Sequence, residues 1–331
     1  MANKVRWGIL STARHAASAF IPAVKASGSG EVAAVASRDA EKARQYADEH
    51  GIPTSYGSYE ALLADPTIDA VYIPLPNSLH KEWAIRVAQA GKHCLCEKPL
   101  GLNAAEAEAM VAAFRAAGRK FAEAFQWRHH PQDQRVREMI RAGVIGDLRL
   151  IDGGLTFTLD RPGDIRWNPA VGGGAVYDLG CYPISLARYI TGQEPVAVTA
   201  QAVWGKTGVD DSIVATLEFP DGVLAHFHCS FRMPFRRFYE VVGSTGSLLV
   251  EHAYNLRDDP PGRIIRRGAD LEVIETIDFE RQNSYTLQVQ DFNRAVLEDR
   301  EPLFPAEDAI GNMRAIDAIY EAARTGRAVR L

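Results

Sequence analysis

Four short clusters carry side chains that can do chemistry. Cys96-Glu97-Lys98-Pro99 sets an amine beside an acid at the end of an apolar run, and the proline restricts the backbone of Lys98. Alone, such a lysine is equally a surface turn. Gly8-Ile9-Leu10-Ser11-Thr12-Ala13-Arg14-His15-Ala16 is a turn of small residues after the first apolar run. Aligned as G-x-G-x-x-G, its glycine positions hold Ser11, Ala13 and Ala16, a pattern in which backbone N–H groups meet a pyrophosphate at a helix start. An ordinary strand-to-helix junction has the same look, and the position at the very start of the chain's first motif favours the phosphate-binding reading. About 20 residues on, where an NAD site offers an acid to the ribose 2′-OH, stand Ser37 and Arg38. A guanidinium fork there suits a 2′-phosphate, so NADP(H) is expected ahead of NAD, the alternative being a solvated arginine before a helix. In His226-Phe227-His228-Cys229, a strand puts both imidazoles on one face and the thiol on the other. No carboxylate or further histidine stands nearby at a familiar ligand spacing, so no metal is expected.

Elements must hold these clusters. Strands are expected over 5–10, 32–37, 70–74, 93–96 and 120–125, alternating with helices over 13–26 (interrupted by Pro22), 40–49, 78–90 and 104–117. Alternation of this kind implies a doubly wound parallel sheet of Rossmann type, whose ligands bind at the carboxyl ends of the strands. From about residue 148 the pattern changes to strands at 148–158, 196–204, 212–219, 223–231, 238–242, 248–251 and 271–277, several joined by tight turns such as Pro220-Asp221-Gly222. That predicts a mainly antiparallel open sheet, with helices at 175–189, 284–297 and 306–323 on one face. Residues 163–174 read as a loop. The fold class is therefore α/β followed by α+β, cut into an NADP-binding domain over 1–125 and a substrate-binding and oligomerisation domain over 126–331.

Two further stretches give the lysine a context. Pro74-Leu75-Pro76-Asn77-Ser78-Leu79-His80 follows the third strand, and Gly172-Gly173-Gly174-Ala175-Val176-Tyr177-Asp178-Leu179-Gly180-Cys181-Tyr182 follows the loop. With Glu97-Lys98-Pro99 they resemble the glucose–fructose oxidoreductase/inositol dehydrogenase (Gfo/Idh/MocA) family, whose signature is G-G-G-x-x-x-D-x-G-x-[HY]. The resemblance spans essentially the whole chain. Tyr182 in the last position, and Thr207-Gly208-Val209-Asp210-Asp211-Ser212, resemble the tyrosine branch, which includes NADP-dependent D-xylose dehydrogenase and dimeric dihydrodiol dehydrogenase. The chain departs from the family at Ser11 and Ala13, where glycines are usual.

The resemblance implies roles. Tyr182 would accept the proton of a sugar hydroxyl, and an ordinary tyrosine, with a pKa of about 10, needs a nearby cation to do so. Lys98 would be that cation, or would hydrogen-bond the reacting oxygen. Asp178, at i, i+4 from Tyr182, would share its helix face and orient substrate or Lys98. Ser11, Thr12, Ala13, Arg14 and His15 would hold the pyrophosphate, Ser37 and Arg38 the adenosine ribose, and Leu75, Pro76, Asn77, His80, Glu97 and Lys98 the nicotinamide end. Trp127 and Arg128, at the crossover between domains, and Trp167 would line the sugar pocket, although a purely structural crossover fits the first two equally.

Bulk properties narrow the classes. A chain of 331 residues exceeds one hydrophobic core, so two domains are the expectation. The net charge of −5 gives no basic excess for nucleic acid. No apolar run approaches the roughly 18 residues of a membrane span, and the N-terminus lacks a secretory apolar segment. Cys94, Cys96, Cys181 and Cys229 make no disulfide framework, so a reducing cytoplasm is expected. The reading is an NADP(H)-dependent oxidoreductase acting on a pyranose sugar or polyol, with an aldose 1-dehydrogenase of D-xylose or D-glucose type foremost. Trans-dihydrodiol dehydrogenase, keto-sugar reductase and an idle NADP-binding sensor are the alternatives. A homodimer or homotetramer through the second domain's sheet is expected.

Overall fold

Val5–Leu10 (β1) is buried along nearly its whole length, as a central strand covered on both faces must be. This computed structural model describes residues 4–254 and 260–331. Around β1 the strands Gly30–Ala36 (β2), Thr54–Tyr56 (β3), Ala70–Ile73 (β4), His93–Cys96 (β5) and Phe121–Glu123 (β6) form a parallel sheet in the order β3-β2-β1-β4-β5-β6. The helices between them are Ile21–Ser27 (α1), Ala40–His50 (α2), Tyr59–Leu63 (α3), His80–Gln89 (α4) and Ala104–Ala117 (α5). β3 and α3 lie outside the sequence expectation, because a three-residue edge strand, half-buried throughout, lacks the apolar run that marks a central one. The chain enters α1 through a wide π-helical turn, Ala16–Phe20, and Pro22 follows that turn at the start of α1.

The second group of elements begins with Pro131–Arg141 (α6), not foreseen because its sequence, PQDQRVREMIR, is polar on most sides. Pro131 opens it, and His130 Nδ1 accepts from Gln132 N as a cap. A nine-stranded sheet follows: Leu148–Thr156 (β7), Ala197–Trp204 (β8), Asp210–Glu218 (β9), Leu224–Ser230 (β10), Arg236–Gly243 (β11), Gly246–Val250 (β12), Arg263–Gly268 (β13), Val273–Asp278 (β14) and Val329–Arg330 (β15). Its order is β14-β13-β12-β11-β7-β10-β9-β8-β15. All pairs are antiparallel except β7 with β10, so the sheet is mixed and mostly antiparallel. The helix Cys181–Thr191 (α7) packs on β7 and β10.

Two last helices, Ser284–Leu297 (α8) and Glu307–Thr325 (α9), complete the described chain. Residues cluster into two units: those up to Phe125 with Tyr285–Ile310, and Gln126–Ser284 with Gly311–Leu331. α8 thus differs from its expected place on the second sheet. From Tyr285 onward it packs on the first, where Tyr285, Val289 and Phe292 join the core around Trp7 and Phe20. The Phe292 ring lies 5.3 Å from that of Trp7, and Trp7 Nε1 donates to Asn293 Oδ1 at 2.9 Å. Burying each such aromatic contributes about 1.5–3 kcal/mol, which holds the returning helix in place. Among the described residues, no helix is long and apolar enough to cross a membrane.

Candidate active site

The order of the first sheet reverses between β1 and β4, and the carboxyl edge at such a switch point is where doubly wound sheets bind ligands. Three loops reach that edge, after β1, β4 and β5. In the first, Ser11 has φ +143°, a backbone angle that L residues rarely adopt and that the glycine of a phosphate loop normally supplies. The substituted loop therefore keeps the glycine conformation. Thr12 and Ala13 are half-buried and Arg14 is exposed at the start of the helical turn. His15 Nε2 lies 3.3 Å from Glu97 Oε1, and the same oxygen accepts from Tyr72 Oη at 2.5 Å. Burial pushes the Glu97 carboxyl up, but His15, Tyr72 and Lys98 outweigh it and hold the group below its ordinary value. Burial, then Glu97, raises Tyr72 well above the usual phenol range, so Tyr72 stays a donor. The contact thus ties the β1 loop to the segment bearing Lys98.

At the end of β2, Asp39 is spent on structure: its Oδ1 accepts from Glu41 N and Lys42 N and caps α2. Ser37 Oγ accepts from Asp39 N at 3.2 Å. Arg38 is exposed, with its guanidinium beside the Tyr59 hydroxyl. An exposed cation, beside a carboxylate committed to a helix cap, therefore stands where a ribose would bind. Together with the glycine-type turn at Ser11, this donor set fits a phosphorylated dinucleotide.

After β4, Leu75 is buried while Pro76 and Asn77 are half-buried in the turn that opens α4. His80 departs from its expected position against the ligand. It is 0% exposed, with Nδ1 3.1 Å from Pro99 O and Nε2 2.8 Å from Leu75 O. The ring ties the β4 loop to the β5 loop and presents no face to a cofactor. Lys98 follows β5 half-buried, its peptide to Pro99 cis and its N–H donating to Glu97 Oε2 at 3.3 Å.

In the second unit, residues Val176–Gly180 form a second π-helical turn that leads into α7. Asp178 lies on this turn and Tyr182 in the first turn of α7, so the spacing between them is not that of a regular α-helix. Wide turns of this kind recur at functional sites. Asp178 Oδ2 accepts from Arg166 Nε at 2.6 Å, and the Arg166 backbone carbonyl accepts from Gly174 N at 3.0 Å. The Asp178 charge raises the Arg166 guanidinium further above its already high value. The sequence reading missed Arg166 as Asp178's partner; its one signal is a lone arginine in a polar loop ahead of the glycine triplet. Tyr182 is 8% exposed, with its ring 5.7 Å from that of Tyr254.

Trp167 keeps a half-exposed ring, edge-on to Phe231 at 5.3 Å. Trp127 and Arg128 do not form an open wall. Trp127 is 1% exposed between Tyr189 and Tyr254, and Arg128 donates to Ser185 Oγ through Nε and Nη2. Of the two readings of that segment, burial favours the structural crossover. His226 and His228 do share a face, where His226 Nδ1 meets Asp152 Oδ1 on β7 at 3.0 Å. Among the described residues no three His, Cys, Asp or Glu are grouped to hold a metal.

Comparison with known proteins agrees with this architecture. The oxidoreductase family with an NAD-binding Rossmann fold matches residues 5–125, and the GFO/IDH/MocA C-terminal domain matches residues 134–249. A D-xylose 1-dehydrogenase (NADP+) of Haloferax volcanii is 41% identical over 98% of this chain and 99% of its own length. An aldose–aldose oxidoreductase of Caulobacter crescentus, solved with glycerol, superposes with a TM-score of 0.90 at 31% identity, covering 99% of this chain and 100% of that one. A 3-ketoreductase of Actinomadura kijaniata, solved with NADP and TDP-benzene, gives a TM-score of 0.91 at 32% identity over 97% of this chain and 98% of that one. The chain belongs to the GFO/IDH/MocA family of oxidoreductases.

Proposed function

We propose that this oxidoreductase uses NADP(H) to oxidise a pyranose aldose at C1, or to run the reverse reduction, with a D-xylose- or D-glucose-type sugar as substrate. The observation that carries the reading is the His15–Glu97–Tyr72 contact, which brings the phosphate-type turn and the lysine segment together at the carboxyl edge of the sheet. The 41% identity to an NADP-dependent D-xylose 1-dehydrogenase supports the choice of sugar and cofactor.

Bound NADP+ would supply the acceptor for the hydride that leaves C1. Backbone N–H groups of residues 11–15 would hold its pyrophosphate, Arg38 and Ser37 its 2′-phosphate, and Asn77 and Glu97 its nicotinamide end. Tyr182 Oη takes the hydroxyl proton as the C1–H bond breaks and the lactone carbonyl forms. Lys98 Nζ donates to the reacting oxygen and favours the phenolate of Tyr182. Asp178, fixed by Arg166, orients a sugar hydroxyl, and Trp167 offers its ring to a C–H face.

Lys98 and Tyr182 belong to different units, and their joint action on one substrate is itself part of the proposal. A panel of aldoses, trans-dihydrodiols and keto-sugars, followed by NADPH fluorescence with NAD+ in parallel, tests it. Aldose turnover with NADP+ that stops in Tyr182→Phe and Lys98→Ala, with NADPH still bound, is expected. Turnover only on diols or keto-sugars moves the substrate assignment, and binding without turnover of anything leaves a sensor. Because all four cysteines are buried thiols, a reducing cytoplasm is the proposed compartment, and a second copy on the second sheet's open face the proposed partner.

A further inference from the structure

Asp210 lies at the start of β9, 1% exposed, and none of the roles above uses it. Its carboxylate is nevertheless committed: Oδ2 accepts from Val176 N at 2.7 Å and Oδ1 from Tyr320 Oη, on α9, at 2.7 Å. The N–H of Ala175 also points to it. Ala175 and Val176 open the wide turn that carries Asp178 and continues into Tyr182. The turn's first donors, which a helix start leaves unpaired, thus find their acceptor on a distant strand. Gly174 lies just ahead with φ +130°, and a Cβ on it would collide with the Asp210 carboxylate and the Tyr320 hydroxyl. The third glycine of the triplet is there to let this carboxylate in. From the other side, Arg166 holds Asp178 by its side chain and Gly174 by its carbonyl.

We infer that Asp210, seated by Gly174 and Tyr320, is a positioning residue for the reaction: it caps the turn that fixes Asp178 and Tyr182 and so sets their aim. The inference rests on the proposed role of Tyr182. An ionised carboxylate accepts all of these donors at once, whereas a protonated one turns a lone pair into a donor and loses one of them. Burial pushes Asp210 up to about 6, against the pull of Tyr320 and of the backbone N–H groups of Val176, Asp210 itself and Ala175. Other ionisable groups surround it. Tyr320 and, on β10, Cys229 are raised well above their usual ranges by burial. Asp178 is paired with Arg166, Tyr177 lies 5.0 Å from Tyr320 ring to ring, and Arg324 sits over the outer face of Tyr320.

The test compares Asp210→Ala, Asp210→Asn and Tyr320→Phe by steady-state kinetics, NADPH fluorescence and amide hydrogen exchange of residues 175–179. In Asp210→Ala, kcat is expected to fall about ten- to a hundredfold, the cost of an ångström of misplacement, with NADPH affinity unchanged. Amides 175–179 should exchange about five- to tenfold faster, as loss of a cap implies. Asp210→Asn, which like the protonated acid keeps one acceptor and presents one donor, should hold kcat between wild type and Asp210→Ala and remove the inflection near pH 6 from the acid limb. Tyr320→Phe, which keeps the ring and fold, should lie between wild type and Asp210→Ala. Wild-type kcat in Asp210→Ala, with Tyr182→Phe dead, overturns the inference, and so does an Asp210→Asn variant as impaired as the alanine. If Tyr182→Phe itself keeps full turnover, the proposed reaction fails, and unchanged exchange at 175–179 in Asp210→Ala then removes the cap as well.

Discussion

Ser11 holds its positive φ without the freedom a glycine would have, and the loop accepts the strain because the turn between β1 and the helix must bring its amides to the sheet edge. Such a conformation costs an L residue on the order of 1–3 kcal/mol. Glycine would remove that cost and add about 0.5–1 kcal/mol of unfolded-state entropy. Ser11→Gly is therefore expected to stabilise the protein by about 1 kcal/mol in urea unfolding, and a loss of stability would show that the serine is unstrained. Arg38 makes the second residue-scale expectation. A charge-assisted bond to a 2′-phosphate is worth about 1.5–3 kcal/mol, so Arg38→Ala should raise the NADP+ KM at least tenfold. Its NAD+ KM should change less than twofold. No effect on either cofactor would return Arg38 to a solvated surface residue, and an equal loss for both would move its contact off the 2′-phosphate.

At the scale of elements, α6 carries a buried acid that sets a pH dependence. Asp133 lies in its first turn, 1% exposed, and Oδ1 accepts from Tyr239 Oη on β11 at 2.7 Å. Burial dominates and pushes the carboxyl up to about 7, against the pull of Tyr239 and Gln132. The folded state therefore binds this proton more tightly than the unfolded chain does. Its contribution is complete below pH 4 and is lost as pH rises through 7, so unfolding free energy should fall by on the order of 2 kcal/mol between pH 5 and 7. Asp133→Asn should flatten that slope, and an unchanged slope assigns it elsewhere. Such a network is invisible in the sequence, where Asp133 is one polar residue among several. The elements that were legible have strong local periodicity: buried parallel strands such as Ala70–Ile73 are apolar throughout. β13, Arg263–Gly268, holds three arginines and reads as a charged turn until its neighbours are known. The site was legible where motifs are contiguous, as at Glu97-Lys98-Pro99. It was not where partners are distant, as with His80 between two loop carbonyls or Arg166 on Asp178. Nor does i, i+4 spacing foretell a π-helical turn, because the extra residue per turn is set by what caps it.

For the whole molecule, the proposed second copy would sit on the open face of the nine-stranded sheet. α7 covers one face at β7 and β10, and on the other the strands align side chains in rows. One row runs Gln201, Val214, His228, Gly154, Phe238, and the next Thr199, Thr216, His226, Asp152, Glu240. Val203, Val214 and Leu224, on three adjacent strands, are 56%, 46% and 43% exposed. An antiparallel face left to water normally alternates to polar residues, and apolar groups on neighbouring strands mark a contact surface. A second copy is the simplest occupant, because a two-fold axis pairs a face with itself and needs no complementary patch elsewhere. Light scattering after size exclusion is expected to give a dimer or a multiple of one at micromolar concentration. A guanidinium at Val214 would be buried unpaired in such a contact, so Val214→Arg, alone or with Leu224→Arg, should shift the population to monomer. NADPH affinity should survive, since the residues proposed to bind it belong to the other unit. A monomeric wild type, or a double variant that remains dimeric, would place the contact elsewhere and leave these side chains as ordinary exposed apolar groups.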